Sequence, residues 1–198
     1  MTKAAPPQTN AWLLLDGAAA ALIRLGLQPD VVVGDMDSLP PELAQTLAPE
    51  RLMRCDGQSD SDVDKALRAL FTNGSPADLL YVTGALGGRV DHMLANLAAL
   101  ARYAHHTQIV VLDPTCRIWF VTGRVTLDCE PDDVISLLAY PAAAKVSISS
   151  VKWPLDHARL EPGTLGVSNR AMANRVIVTA HSDLVLCIHQ RPVTEAYL

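Results

Sequence analysis

Two aspartates that stand two residues apart, Asp35 and Asp37, have the spacing and type to do chemistry. They follow Gly34 and the β-branched run 31–33, a pattern that predicts a buried strand ending at the glycine. Because alternate residues of an extended segment point the same way, both carboxylates can converge on one point. Converging carboxylates repel each other unless a cation or a shared proton lies between them. The pair therefore suits Mg²⁺, with a solvated turn as the alternative.

A third carboxylate stands at the predicted start of a helix. Ser61 with Asp64 three residues later is typical of a capping box, and an apolar stripe of helical period follows. Asp62 then occupies the first helical position, where the helix dipole favours a negative charge. Taken alone, Asp62 needs no other role than complementing that dipole.

A glycine-rich turn at 84–89 is the candidate phosphate site. It follows a predicted strand at 78–83 and precedes a second amphipathic helix, so free N–H groups at the helix start point outward. Arg89 at the end of the turn can bind a phosphate through two parallel hydrogen bonds. The spacing matches neither a dinucleotide-binding fingerprint nor a Walker loop, and a plain tight turn is the alternative.

The elements that must position these residues alternate between strand and helix as far as about residue 112. This order predicts an α/β domain over 1–113, Rossmann-like, with a mostly parallel sheet and helices on both faces. Ligands bind beyond the carboxyl ends of such strands, where Asp16 and the three segments above are expected to meet. After Asp113-Pro114, short β-type runs predict an all-β sandwich or barrel domain over 114–198.

Composition excludes several classes of protein. The 198 residues are 49% hydrophobic, with a net charge of −5 and a mean hydropathy of +0.19, which argues against disorder. No basic run is present, so we expect neither a nucleic-acid nor a membrane partner. The four cysteines are scattered, which predicts buried reduced thiols and no zinc site. Without a signal peptide or a membrane-length apolar stretch, the sequence predicts a cytoplasmic protein.

Six segments of the sequence resemble those of thiamine pyrophosphokinases, in the same order. That family carries Asp-Gly-Gly-Ala, Pro-Asp-x-x-x-Gly-Asp-x-Asp-Ser, Gln-Asp-x-Thr-Asp at a helix start, Gly-Gly-Arg-x-Asp-His, Lys-Trp/Tyr-Pro-Leu and Ser-Asn. The corresponding segments here are 16–19, 29–38, 58–62, 87–92, 152–155 and 168–169. The resemblance therefore extends from about residue 16 to residue 169.

The resemblance implies an α/β domain followed by a β-sandwich, in a homodimer whose active site lies between the α/β domain of one subunit and the β domain of the other. It implies transfer of a pyrophosphoryl group from ATP to the hydroxyl of thiamine, giving thiamine diphosphate and AMP. Mg²⁺ would be bound by Asp35, Asp37 and Asp62, and phosphate oxygens by Arg89, Gly87 and Gly88. Asp37 or Asp62 would accept the hydroxyl proton. The remaining binding residues implied are Asp16, Gly17, Gln58, Asp91, Ser168 and Asn169, with His92 and Asn96 orienting their neighbours.

Four departures from the family pattern bear on activity. Only about a dozen residues precede Asp16, Ala18 replaces a glycine, Ser59 replaces an acidic residue, and Ser150-Val151 replaces Gly-Leu. An aromatic residue that follows Ser-Asn in the family and stacks on thiamine has no counterpart in 170–190. Trp153 is either a packing residue or part of the thiamine pocket.

Two alternative functions stay open. One is a pyrophosphokinase that acts on another alcohol, such as a hydroxymethylpterin. The other is a non-catalytic relative that binds thiamine or a nucleotide.

Overall fold

The computed structural model describes residues 10–24, 26, 28–37, 39–54, 61–73, 77–163 and 165–191. Ser38 and residues 55–60, which include Gln58, lie outside these ranges, and the side chain of Asp16 is not described either. The first half alternates strands and helices: β1 (Asn10–Leu15), α1 (Asp16–Arg24), β2 (Val31–Gly34), α2 (Pro41–Ala44), β3 (Leu52–Arg54), α3 (Asp62–Asn73), β4 (Leu79–Thr83), α4 (Val90–Tyr103) and β5 (Gln108–Leu112).

The second half is built from strands, as its short β-type runs predict. They are β6 (Arg117–Val121), β7 (Arg124–Asp128), β8 (Val134–Ala139), β9 (Ala144–Ser149), β10 (Leu155–Leu160), β11 (Asn169–Arg170), β12 (Arg175–Ser182) and β13 (Val185–Gln190). Between residues 113 and 191, the described part of the chain contains no helix. The prediction of a β-rich C-terminal part is therefore confirmed.

The two halves share one sheet of nine strands, in the order β11-β8-β13-β6-β5-β4-β1-β2-β3. The five strands from the first half pair in parallel, and the four from the second half pair antiparallel. The sheet as a whole is thus mixed, and the Rossmann-like description of the first half stays a prediction, as do the domain limits at 113 and 114. The remaining strands form a second, antiparallel sheet in the order β10-β9-β12-β7.

A tight turn between β5 and β6 explains why the sheet continues across the predicted domain boundary. The N–H of Asp113 donates to the carbonyl of Cys116 at 3.0 Å, and the Asp113 carboxylate accepts hydrogen bonds from the N–H and hydroxyl of Thr115. This Asx turn reverses the chain within four residues. As a result, β6 pairs with β5 instead of starting a separate sandwich.

Helices cover both faces of the parallel part of the sheet. On one face, α3 and α4 pack through Val63, Leu67 and Leu100 onto alternate residues of β1, β2, β4 and β5. On the other face, α1 packs through Ala19 and Ile23 onto Leu14 and Val32. Among the described residues, no helix is long and apolar enough to span a membrane.

Candidate active site

The carboxyl ends of β1, β2 and β4 meet at one edge of the sheet. Leu15 pairs with Val33, and Leu14 pairs with Thr83, so these strands end side by side. The chain continues from these ends into α1, into the Asp35 segment and into the glycine turn at 84–89. Three of the predicted segments therefore share one edge, where parallel sheets bind ligands.

Asp35 and Asp37 form a tight turn instead of the extended segment that the alternation argument assumed. The strand ends at Gly34, and Met36 has a positive φ of 67°. One oxygen of Asp35, Oδ1, accepts a hydrogen bond from the N–H of Asp37 at 3.0 Å. Both carboxylates are exposed. Their oxygens are consequently accessible to a cation.

Asp62 is the first residue of α3, as predicted. The hydroxyl of Ser61 accepts a hydrogen bond from the N–H of Asp64 at 3.2 Å, which caps the helix. Val63 and Val33 belong to the same core cluster, so the first turn of α3 lies near the carboxyl end of β2. The Asp62 carboxylate is half-exposed, with Lys65 Nζ 3.8 Å away. It is available to a ligand at the same edge.

The three carboxylates are not gathered around a single point. Among the described residues, the one group of three His, Cys, Asp or Glu ligand atoms within 4.8 Å of one another is Cys129, Asp133 and His189. Mg²⁺ usually takes only one or two carboxylates and completes its octahedron with water and phosphate oxygens. The accessible carboxylate oxygens of Asp35, Asp37 and Asp62 are hard ligands of the kind that Mg²⁺ prefers.

The glycine turn has a tight part and an open part. A Cβ on Gly84 would lie 3.0 Å from the Cβ of Leu15 and 3.1 Å from the Cβ of Ala18. This glycine therefore allows the turn to pack against the start of α1, and Ala18 faces it. Gly87 and Gly88 have φ values of 85° and 61°, and a Cβ on either would meet no atom within 4 Å. Their backbone therefore borders open space.

Arg89 is held by a neighbouring carboxylate. Its Nε and Nη2 donate to Oδ1 and Oδ2 of Asp91 at 3.1 and 2.6 Å. These bonds, opposed by slight burial and helped by the N–H of His92, lower the pKa of Asp91 to about 2. The guanidinium side chain is 72% exposed. Arg89 is thus presented at the start of α4 in a two-bond geometry that also matches phosphate.

Side-chain bonds tie α4 to its surroundings. The buried carboxylate of Asp64 in α3 accepts hydrogen bonds from Arg102 in α4 and, at 2.6 Å, from Arg68. The amide of Asn96 donates to the carbonyl of Ala85 in the glycine turn at 3.2 Å. Together these bonds fix the spacing between the helix that carries Asp62 and the helix that follows Arg89.

Asn169 is buried and already bonded. Its Nδ2 donates to the carbonyl of Trp153 at 2.6 Å, and its Oδ1 accepts from the N–H groups of Trp153 and Arg170. The neighbouring Ser168 is exposed, with φ 60°. Asn169 thereby holds the loop that presents Trp153. This residue is 53% exposed, and its ring centroid lies 4.8 Å from Lys152 Nζ.

Asn169 and Asp35 lie near opposite ends of the nine-stranded sheet. Asn169 belongs to β11 and Asp35 follows β2, and seven inter-strand steps separate the two strands. At about 4.8 Å per step, the distance along the sheet is on the order of 30 Å. Within one chain, Ser168 and Asn169 are therefore not brought to the edge that carries Asp35.

The sequence argument missed the cluster of Cys129, Asp133 and His189. Nε2 of His189 bonds Oδ2 of Asp133 at 2.8 Å, and Arg191 lies 3.5 Å from the same oxygen. Burial, helped by the charge of Asp133, raises the pKa of Cys129 to about 11. A protonated thiol and a neighbouring guanidinium do not suit a hard cation. Cys129 and Asp133 lie in the loop between β7 and β8, whereas His189 belongs to β13, so local spacing does not indicate that the three residues meet.

Comparison with known proteins identifies the family that the chain resembles. Residues 5–112 match the family model for the thiamin pyrophosphokinase catalytic domain, and residues 124–185 match the model for its vitamin B1 binding domain. Thiamine pyrophosphokinase 1 of Oryza sativa subsp. japonica is 31% identical over 85% of this chain and 69% of its own length. The protein of the same name from Arabidopsis thaliana is 30% identical over 85% and 68%.

Solved structures share the fold. Thiamine pyrophosphokinase from Bacillus subtilis superposes with a TM-score of 0.72 at 22% identity, covering 92% of this chain and 88% of that one. The Geobacillus thermodenitrificans protein gives 0.70 at 21% identity, covering 93% and 87%. With both family models matched in order along its length, this chain belongs to the thiamine pyrophosphokinase family of enzymes.

Proposed function

We propose that this chain transfers the pyrophosphoryl group of ATP to the hydroxyl of thiamine, releasing AMP. The observation that carries the proposal is the shared edge of the sheet. There, three accessible carboxylates accompany a glycine turn with open space beside its backbone. In this transfer the hydroxyl oxygen of thiamine bonds to the β-phosphorus of ATP while the bond from that phosphorus to the α-phosphate oxygen breaks. Such a step needs positioning and charge neutralisation more than a covalent nucleophile, and this edge offers both.

Asp35, Asp37 and Asp62 are the residues that would hold Mg²⁺, with one or two of these carboxylates bound to a given ion and phosphate oxygens of ATP and water completing the coordination. When bound, Mg²⁺ would neutralise the charge that develops on the phosphate oxygens. The N–H of Asp37 keeps Asp35 Oδ1 in place, which leaves Oδ2 of that carboxylate for the cation. Asp37 or Asp62 would accept the proton of the thiamine hydroxyl.

Arg89, Gly87 and Gly88 would bind the phosphates. The backbone of the two glycines borders open space, and the Arg89 fork is kept in a bidentate geometry by Asp91. A phosphate that binds Arg89 must compete with the Asp91 carboxylate. Asp91 would therefore keep the guanidinium oriented in the absence of ATP, and a phosphate of ATP would replace Asp91 as its partner. Asp16, Gly17 and Gln58 would contact the substrates from neighbouring segments.

We also propose that the active protein is a homodimer with two shared sites. The separation of about 30 Å between Asn169 and Asp35 along one sheet supports this arrangement, because a second copy can bring its thiamine-binding residues to the first copy's carboxylates. Exposed apolar side chains support it too: Val90 and Leu94 on α4, and Trp153, Val167 and Met172 around Asn169. Apolar surface of this kind suits a contact between subunits.

A cytoplasmic location completes the proposal. Cys116, Cys129 and Cys187 are buried free thiols, which suits a reducing compartment. Cytoplasmic ATP is the pyrophosphoryl donor that the proposed reaction requires.

The test is a coupled assay of AMP release from ATP, with thiamine or hydroxymethylpterin as acceptor, in Mg²⁺ and in EDTA. Thiamine-dependent AMP that requires Mg²⁺ is the expected result. Preference for the pterin would assign a different acceptor. Binding of thiamine and ATP by calorimetry without any AMP would identify a non-catalytic member of the family.

A further inference from the structure

The cluster of Cys129, Asp133 and His189 has no part in the proposed pyrophosphoryl transfer. One ligand atom from each of these residues lies within 4.8 Å of the other two. Cys129 and Asp133 stand at the two ends of the loop 129–133, which connects β7 of the second sheet to β8 of the nine-stranded sheet. His189 belongs to β13, which pairs with β8. The cluster therefore lies where the chain crosses from one sheet to the other.

The ligand types in this cluster are those of a borderline-soft divalent ion. A thiolate, an imidazole nitrogen and a carboxylate oxygen are the three kinds of ligand that Zn²⁺ takes, usually in tetrahedral geometry. Bonds of about 2.0–2.3 Å place such ligands about 3.3–3.8 Å from one another. The three side chains would therefore have to approach by about 1.5 Å at most. Mg²⁺ and Ca²⁺ prefer oxygen ligands, so the thiol and the imidazole select against them.

Hydrogen bonds leave one oxygen of Asp133 for an ion. Oδ2 accepts from the N–H of Glu130 and from Nε2 of His189, both at 2.8 Å, and Nη1 of Arg191 lies 3.5 Å from it. Among the described residues, no donor bonds Oδ1 of this carboxylate. Carboxylates that bind a metal are themselves held by hydrogen bonds. The surroundings of Asp133 thus orient Oδ1 as the ligand atom.

The charges around the cluster balance for a divalent ion. Arg191 donates to Oε1 of Glu130, so its positive charge is already paired. A thiolate of Cys129 and the carboxylate of Asp133 together carry two negative charges, which would neutralise Zn²⁺ in a buried place. In the metal-free chain the thiol stays protonated, because burial, and then the charge of Asp133, raise the pKa of Cys129 to about 11. An ion that binds the sulfur displaces that proton.

We propose that Cys129, Asp133 and His189 bind one Zn²⁺ ion through Sγ, Oδ1 and Nε2, with water in the fourth position. The S–H bond of Cys129 breaks as the S–Zn bond forms, and the proton leaves to solvent. His189 exchanges its hydrogen bond to Asp133 for the ion, and its ring proton moves to Nδ1. The ion would join the loop 129–133 to β13 and so hold the two sheets together at this crossing. The site needs only one thiol, so scattered cysteines give no sequence signal for it.

Titration of the metal-free, full-length chain with Co²⁺, in excess Mg²⁺ that occupies the proposed carboxylate site, tests the proposal. Co²⁺ accepts the same tetrahedral ligands as Zn²⁺, and a cobalt–thiolate bond gives an ultraviolet charge-transfer band. One equivalent of Co²⁺ is expected to produce this band, and one equivalent of Zn²⁺ to remove it. Cys129→Ala is expected to abolish the band and to weaken Zn²⁺ binding at least about 100-fold. Cys116→Ala, at another buried thiol, is the matched control and leaves both unchanged. No band at saturating Co²⁺, or a band that survives in Cys129→Ala, overturns the proposal.

A second measurement uses the wild-type chain and does not depend on the folding of a variant. ¹¹³Cd²⁺ replaces Zn²⁺ in sites of this kind, and the chemical shift of the bound cadmium reports how many sulfur atoms bind it. A shift typical of one sulfur with nitrogen and oxygen ligands is expected. A shift typical of oxygen and nitrogen ligands alone overturns the site. Neither measurement depends on AMP formation, so failure here and failure of the proposed function are separate outcomes.

Discussion

The guanidinium of Arg89 and the carboxylate of Asp91 are joined by two hydrogen bonds, at 3.1 and 2.6 Å, at the first turn of α4. The Nε and Nη2 donors of Arg89 are oriented so that they can also bind two oxygens of a phosphate. A ligand must offer two acceptor oxygens to replace Asp91 well. Because the pKa of Asp91 is lowered to about 2, the pair stays ionised at neutral pH. The two residues therefore form a constant feature of the site.

Arg89→Lys is expected to lower kcat/KM for ATP about 10- to 100-fold, since a lysine makes one charged contact where the fork makes two. The melting temperature should stay near the wild-type value because the side chain is exposed. Steady-state kinetics with thermal unfolding measures both quantities. Arg159→Lys, an exposed arginine in β10, is the matched control. An unchanged kcat/KM would remove Arg89 from the phosphate site.

Asp35→Asn and Asp37→Asn are each expected to reduce kcat by about two orders of magnitude or more, because each removes a charge that would hold Mg²⁺. Both side chains are exposed, so the free energy of unfolding should change little. Raising the Mg²⁺ concentration should recover part of the lost activity. Glu42→Gln in α2 serves as the control for an exposed carboxylate elsewhere. Wild-type rates in both variants would contradict the metal assignment.

Asp64→Asn is expected to cost about 1–3 kcal/mol in the free energy of unfolding, because a buried carboxylate loses its charge-assisted bonds to Arg68 and Arg102. Asp62→Asn, two residues away, should cost less than about 0.5 kcal/mol, since the half-exposed Asp62 makes one long ion pair among the described residues, with Lys65 at 3.8 Å. Urea denaturation measures both. The opposite order of the two variants is the outcome that would refute this account of the α3–α4 contact.

A mixture of two inactive variants tests the shared site. Asp35→Asn disables the carboxylate edge, and Trp153→Ala disables the loop held by Asn169. If each site combines residues of two subunits, a mixed dimer contains one site with both defects and one with none. Refolding the two variants together at equal ratio should then restore about one quarter of wild-type activity. No recovery, with dimers confirmed by light scattering, would place each site within one chain.

His189 should make stability depend on pH. Burial lowers the pKa of His189, with Arg117 and Arg191 adding to the effect and Asp133 opposing it. Below the unfolded pKa, near 6.5, the unfolded chain binds the proton that the folded chain resists, so stability falls as the solution is acidified. The free energy of unfolding should therefore drop more steeply between pH 7.5 and 5 in the wild type than in His189→Gln. Parallel profiles would show that His189 does not titrate with unfolding.

Hydrogen bonding also predicts the behaviour of Asp133, in a different range of pH. Burial alone would raise its pKa, but the N–H of Glu130, the ring of His189 and the charge of Arg191 together lower it. Its contribution to stability is consequently present above the ordinary carboxyl pKa and is lost only in stronger acid. The contributions of His189 and Asp133 to the free energy of unfolding can be distinguished because they change over separate ranges of pH.

Local sequence patterns were sufficient for the elements of the first half. The apolar stripe that begins at Val63 predicts α3, and Ser61 predicts where that helix begins. Both signals are local, because helical period and capping each depend on residues only a few positions apart. The β-branched run before Gly34 predicts β2 for the same reason. The edge of the sheet at which the candidate site lies followed from the order of these elements alone.

Long-range relationships were beyond the sequence argument. Nothing local indicates that β6 pairs with β5 in a shared sheet, because pairing depends on which strand edge is available after folding. The turn at Met36 replaced an extended segment, since the Asp35 carboxylate competes for the backbone N–H of Asp37. Asn169 was expected at a substrate, and its partners on the Trp153 backbone come from a segment 16 residues earlier in the chain.

The sheet shared by both halves has a mechanical consequence. Hydrogen bonds between β5 and β6 join the helix-covered half to the strand-built half without a flexible connection, so neither half can swing toward the other as hinged domains do. Admission of substrates and exclusion of water must then be controlled by short loops at the rim and, in the proposed homodimer, by the neighbouring subunit. A rigid frame of this kind would keep the same outline whether or not its substrates are bound.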